Sequence, residues 1–226
     1  MINITEQILV YSDSLTWGII PNTRKRLSFE KRWTGVFENA LNTKGNNVRV
    51  IENCLNGRRT VWDDPYKEGR DGSQGLAQVI EMNSPLKLVI LMLGTNDFQC
   101  THENNAWLSA QGTVKLINII RQAPIEAGMS VPEIMIIAPP QIIEPKGIIT
   151  NKFNNSEKRS VGLAEELEKI AKENLVHYFD AGSVTEASQV DGIHLDEDQH
   201  KKLGEVISNM VSNQKLLYST SGKGEY

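Results

Sequence analysis

Gln7-Ile8-Leu9-Val10-Tyr11-Ser12-Asp13-Ser14-Leu15-Thr16-Trp17-Gly18 is the stretch on which the reading of this chain turns. Residues 7–11 form a short apolar, β-rich run that reads as a buried strand. The run ends in Ser12-Asp13-Ser14, residue types that bond their own backbone in tight turns and cap helices. The Ser14 hydroxyl is therefore placed at the carboxyl end of a strand, where open α/β sheets put their ligands. Serine is inert at its free pKa, so a chemical role needs a base and an oxyanion site from elsewhere in the chain. Asp191-Gly192-Ile193-His194 and Gly94-Thr95-Asn96-Asp97 are candidates for both.

Outward from this stretch, strand-like and helix-like segments alternate. Further β-rich runs fall at 48–53, 87–93, 133–138 and 175–179, and helical patterns at 33–41, 75–82, 106–126, 156–173 and 197–212. The third and fourth strands are almost wholly apolar, as expected when helices cover both faces of a sheet. The alternation implies right-handed crossovers and a parallel sheet of five strands in a three-layer α/β domain. Succession along the chain does not give adjacency in the sheet, so this pattern leaves the strand order open. One domain is expected over 1–218, with a flexible tail at 219–226. Long Gly-, Pro- and charge-rich connections at 17–31, 56–72 and 139–155 each follow a strand and would rim the same carboxyl edge. Loops of that length in a compact domain are usually functional.

The 226 residues, 39% hydrophobic and 23% charged, suit one soluble α/β unit with a sizeable core. A net charge of −4 without a basic block argues against nucleic acid or an anionic membrane surface as partner. The first residues lack the pattern of a secretory signal, and no apolar run is long enough for a bilayer. Cys54 and Cys100 make no disulfide framework and have no metal-ligand spacing. A cytoplasmic protein is the expectation. Nothing calls for a metal or cofactor, since the first strand–helix turn has no glycine-rich phosphate loop.

Acyl transfer needs a nucleophile, a base, a group that orients the base, and donors for the oxyanion. Ser14 has the oxygen. His194 has an imidazole whose ordinary pKa of ~6.5 suits proton shuttling near neutrality. Asp191 lies within one turn of chain of His194, and Gly192 between them permits a sharp bend. Asn96 follows a buried strand and a glycine, so its amide would project over the same edge.

At these residues the chain resembles the SGNH (GDSL-type) hydrolases, over most of its length and in four blocks in the family's order. Asp13-Ser14-Leu15 with Trp17-Gly18 is similar to the nucleophile block, and Asn56-Gly57 to the second. Gly94-Thr95-Asn96-Asp97 is similar to the third, and Asp191-Gly192-Ile193-His194 to the last. The resemblance implies a flavodoxin-like sheet in the order 2-1-3-4-5 and a Ser14–His194–Asp191 triad. It also implies an oxyanion hole from the Ser14 and Gly57 backbone N–H groups and the Asn96 amide. Arg32-Trp33-Thr34-Gly35-Val36, Asp63-Asp64-Pro65 and Phe179-Asp180-Ala181-Gly182-Ser183 bring it nearest to the arylesterase/acyltransferase-like subgroup. That subgroup implies hydrolysis of short, acetyl-type esters of aryl, alkyl or sugar alcohols, acyl transfer to alcohols in some members, and homo-oligomers. The family's first block begins with glycine where this chain has Ser12. A positive φ there would strain the serine by roughly 1 kcal/mol.

Each feature alone has a plainer reading: Ser14 as an N-cap, Asp191-Gly192 as a turn, Asn96 as a strand-end turn residue. Their joint occurrence in family order favours chemistry. His102, His177 and His200 read as structural or solvated, and Asp196, Glu197 and Asp198 as a helix start rather than a cation site. Asp13 reads as a turn organiser, and Asp13 and Trp17, close beside Ser14, are also the candidates to line a substrate pocket. The alternative to an enzyme is a non-catalytic carbohydrate-binding or interaction domain on the same scaffold.

Overall fold

Every second residue of the central strand faces the same helical layer, and this alternation builds the core. A computed structural model describes residues 5–213 and 216; the tail expected at 219–226 lies outside the described residues. The strands are β1 (Glu6–Ser12), β2 (Val48–Cys54), β3 (Leu88–Met92), β4 (Glu133–Ala138) and β5 (His177–Asp180). All pair in parallel, in the order β2-β1-β3-β4-β5. The helices are α1 (Ser14–Trp17), α2 (Trp33–Thr43), α3 (Leu76–Asn83), α4 (Ala106–Arg121), α5 (Ser156–Arg159), α6 (Leu163–Glu173) and α7 (Glu197–Asn213). Leu9, Tyr11, Val89, Leu91, Ile134 and Ile136 pack with the apolar faces of α3, α4 and α6. Ile8, Val10, Leu88, Ile90, Met92, Met135 and Ile137 pack on the other side with α2 and α7. The period of two along each strand thus supplies two cores, each large side chain contributing about 1.5–3 kcal/mol by burial.

Three of the departures from the sequence pattern have a local reason. The helix expected to run to 126 stops at Arg121, shortly before Pro124 biases the residue preceding it away from helical backbone. The pattern at 156–173 breaks into α5 and α6 at Gly162, whose φ of +87° interrupts the helical path. The last strand begins at His177 because Leu175 turns the chain with φ +52°.

The strand order leaves β1 between β2 and β3, so the chain after Ser12 emerges beside the ends of both. Ser12 itself needs no left-handed backbone: it continues β1, aligned with Cys54 and Met92. Its hydroxyl donates to the Met92 carbonyl at 2.7 Å and accepts from Thr16 Oγ1 at 2.7 Å, while Thr16 accepts from the Trp33 indole N–H at 3.0 Å. The serine in place of the family glycine closes a hydrogen-bonded chain from α2 through α1 to β3, and the positive φ that would have strained it does not occur.

Among the described residues, no helix is long and apolar enough to cross a membrane.

Helix α7 lies backbone-close on α2. A methyl group on Gly204 would stand 2.5 Å from the Trp33 carbonyl oxygen and 2.7 Å from Val36 Cβ. Gly204→Ala should therefore lower unfolding free energy by about 1–3 kcal/mol through overpacking, read by urea denaturation; an unchanged midpoint would contradict this packing.

Candidate active site

Four segments meet beyond the carboxyl ends of β1, β2 and β3. Ser14 opens α1, whose first turn is capped by Asp13 Oδ1 accepting from Leu15 N–H at 2.9 Å. As the first residue of a helix, Ser14 keeps its backbone N–H free of an intrahelical acceptor. Its Oγ lies 3.1 Å from His194 Nε2, and His194 Nδ1 lies 2.7 Å from Asp191 Oδ2. Asp191 Oδ1 accepts from the backbone N–H of Ile193 at 3.0 Å and of His194 at 2.9 Å, and Oδ2 from Asn22 N–H at 3.2 Å. Gly192 has φ +80°, and a methyl group there would stand 2.4 Å from the Glu144 carbonyl oxygen, so the bend between acid and imidazole requires glycine.

These contacts set the charge of Asp191. Burial alone would raise its pKa, but the hydrogen bond and charge of His194, with the two backbone donors, hold it down at about 2. With Nδ1 donating to this carboxylate, Nε2 is the lone-pair side of a neutral ring and faces the Ser14 hydroxyl.

Asn96 and Gly57 complete the arrangement. Asn96 Nδ2 donates to Asp13 Oδ2 at 2.7 Å, and its Oδ1 accepts from Gln99 Nε2 at 2.5 Å. The amide is thereby fixed in one orientation, with its second N–H left over. Gly57 sits in a turn at φ +85°, and its N–H has no hydrogen-bond acceptor among the described residues. Ser14, Gly57, Asn96 and His194 all line one cavity of about 110 Å³. The structure thus brings together the triad candidates and the three oxyanion donors expected from the sequence.

Trp17 and Asp13 stand elsewhere. Trp17 is outside the cavity lining, with the Arg26 guanidinium 4.7 Å over its ring. Asp13 is fully buried beneath the site, and burial pushes its carboxyl up to about 6 against the pull of Leu15 N–H, His194 and Asn96. The remaining histidines are occupied away from the cavity. His102 Nε2 meets the Asp63 carbonyl, His177 faces Glu133, and His200 is buried with Nδ1 accepting from Trp33 N–H. Burial, helped by the charges of Arg32 and His194, lowers His200 to about 3, so it stays neutral. At the start of α7, the Asp196 carboxylate is taken by Ser188 Oγ at 3.0 Å.

Several supporting residues were not singled out from the sequence. Asp97, fully buried, accepts from Thr60 N–H at 2.9 Å, Thr60 Oγ1 at 2.7 Å and Ser109 Oγ at 2.6 Å. It ties the loop bearing Gly57 to the turn bearing Asn96. Arg58 stacks 3.8 Å over the Tyr11 ring and donates to the Ser12 carbonyl at 2.9 Å. Gln99, whose Nε2 holds Asn96 Oδ1, was not singled out either.

The model of the GDSL-like lipase/acylhydrolase family matches residues 13–202. The chain belongs to that family. It is similar to the native aryl esterase of M. smegmatis, at 31% identity over 92% of this chain and 99% of that one, with a TM-score of 0.86. It is similar likewise to a carbohydrate acetylesterase from Sinorhizobium meliloti, at 30% identity over 92% and 99% of the two chains, TM-score 0.86. A lipase/acylhydrolase from Enterococcus faecalis, at 16% identity and TM-score 0.62 over 92% and 96%, shares the fold. No curated protein sequence matches the chain. The protein is a carboxylic ester hydrolase, as its motif blocks implied, and the reading as a non-catalytic binding domain is left without support.

Asp97 offers a test of this supporting network. Burial raises its pKa from 3.8 to about 6, so the folded chain holds a proton there that the unfolded chain has released between those values. Its contribution to stability is present at low pH and lost as pH rises through that window. In urea titrations, the unfolding free energy of Asp97→Asn should gain on that of the parent from about pH 4 to about pH 6 and level off near pH 7. A difference that stays flat with pH would contradict the buried, proton-holding carboxyl.

Proposed function

We propose that this ester hydrolase is a serine esterase for short, acetyl-type esters of aryl, alkyl or sugar alcohols, with Ser14 as nucleophile. The observation that carries the reading is the line from Ser14 Oγ through His194 to Asp191, at 3.1 and 2.7 Å. Ser14 Oγ attacks the ester carbonyl while His194 Nε2 takes its proton. Asp191, ionised across the working pH range, stabilises the imidazolium that forms. The tetrahedral oxyanion is met by the Ser14 and Gly57 N–H groups and by the spare N–H of Asn96, donors held in place before the charge develops. His194 then protonates the leaving alcohol and activates water to release the acid.

The small cavity supports a short acyl group, and the likeness to an aryl esterase and a carbohydrate acetylesterase supports aryl and sugar alcohols. Acyl transfer is the second outcome we propose for the same acyl-enzyme, with an alcohol taking the place of water.

Ser14→Ala should abolish turnover of 4-nitrophenyl acetate while leaving the melting temperature near that of the parent, and activity close to the parent's would refute the nucleophile. Asn96→Ala should lower kcat by ~100-fold or more with a smaller change in KM, as for loss of an oxyanion donor.

A further inference from the structure

Each of the three long loops around the cavity delivers a cation to it: Arg24 from 17–31, Lys67 from 56–72, and Lys152 from 139–155. The side chains of these three residues have no ion pair and no hydrogen bond among the described residues. Among the other cations, Arg26 and Arg32 are paired with Glu52, Lys31 with Glu197, and Lys169 and Lys172 with glutamates on α6, while Lys25, Lys87, Lys115, Lys158 and Lys202 are unpaired among the described residues but line no cavity with another unpaired cation. Arg70 adds a fourth positive charge at the same place, its Nε held by the Asn56 carbonyl at 3.2 Å. A methyl group on Gly57 would stand 3.9 Å from Arg70 Nε and 4.0 Å from Lys152 Nζ, so these charges sit beside the proposed oxyanion donor.

The cations also crowd one another. Burial and the charges of Arg70 and Arg24 lower the Lys67 pKa, and burial with Lys67, Arg59 and Arg24 lowers that of Lys152. Asp64 alone pulls both the other way, and Asp64 is already engaged 3.5 Å from Arg59. A folded chain of net charge −4 that gathers unpaired like charges around one small opening creates a local positive potential there. An anion bound between them would relieve that repulsion.

We infer that the ester this enzyme takes carries a negatively charged group, a carboxylate, sulfate or phosphate, held at the cavity mouth by Lys67, Lys152 and Arg24. The inference rests on the proposed esterase site and names the class of its substrate. The charge can sit on the acyl or on the alcohol portion of the ester, since both pass the cavity mouth.

Binding is measured by calorimetry on Ser14→Ala protein, where no ester is consumed. One pair is 4-acetoxybenzoate against its neutral methyl ester, and the other is 4-nitrophenyl hemisuccinate against 4-nitrophenyl butyrate. At least one anionic ester should bind about tenfold or more tightly than its neutral partner, and the pair that does so identifies the charged portion. Lys67→Met with Lys152→Met should erase that difference, as should Arg24→Met in large part, whereas Lys67→Arg should keep it. Equal binding within both pairs, or a preference untouched by losing the two lysines, overturns the inference. Turnover of the two neutral esters by the parent enzyme reports on the esterase site separately, so failure of one idea is not mistaken for failure of the other.

Discussion

The Asp191 carboxylate organises the site. It accepts from Asn22, Ile193 and His194 N–H groups and from the imidazole, and so binds the first long loop to the last motif block. The segment around it has no strand or helix to hold it. Its backbone is instead stitched to the loop after β4, Ile143 N–H to the Gly192 carbonyl at 3.1 Å and Lys146 N–H to the Asp191 carbonyl at 3.0 Å. Gly192 N–H closes a turn onto Ser188, and Ser188 N–H returns to the His194 carbonyl at 2.7 Å. The imidazole is aimed by this local network of backbone bonds while the sheet supplies only the fixed position of Ser14. Buried polar groups tolerate such a place only when they are satisfied, and both oxygens of the Asp191 carboxylate are.

Three buried aspartates show how depth of burial and donors together set the charge. Asp13, Asp97 and Asp191 are all 1% exposed or less. Asp191 is held near 2, while the other two are pushed up to about 6. Asp191 has N–H donors on both oxygens plus a group that becomes cationic in the reaction. Asp13 has one backbone N–H and an amide, and Asp97 has one backbone N–H and two hydroxyls. Neutral donors offset desolvation only in part, so the carboxyl that must stay ionised is the one given the imidazole.

Much of this was readable in the residues and some was not. The nearly unbroken apolar runs of β3 and β4 were readable as strands covered on both faces, but for the same reason they did not show which residue faces which layer. Strand order was not readable from the pattern, since parallel pairing is decided by crossovers whose handedness, not sequence, selects the neighbour; it came only with the family resemblance. The acid–base pair was legible because Asp191 stands three positions before His194, with glycine between them. Asp97 was not, because a carboxylate in a strand-end turn looks the same whether it caps a helix or receives three donors from distant segments. Trp17 illustrates the opposite error source. Nearness in sequence to Ser14 suggested the cavity, but one helical turn swings its ring outward to Arg26.

The cations at the cavity mouth escaped sequence reading for a related reason. Arg24, Lys67 and Lys152 lie far apart in the chain, and each is unremarkable among loop residues of a mildly acidic protein. Only the closure of three loops over one sheet edge makes them neighbours. Ser12 follows the same logic on a smaller scale: the exchange of glycine for serine looked costly while only its φ was considered. Once the strand continues through it, the hydroxyl has an acceptor in Met92 and a donor in Thr16, and the turn that presents Ser14 becomes bonded to α2 and β3. A local rule that fails at a site is often answered by a contact that only the assembled fold supplies.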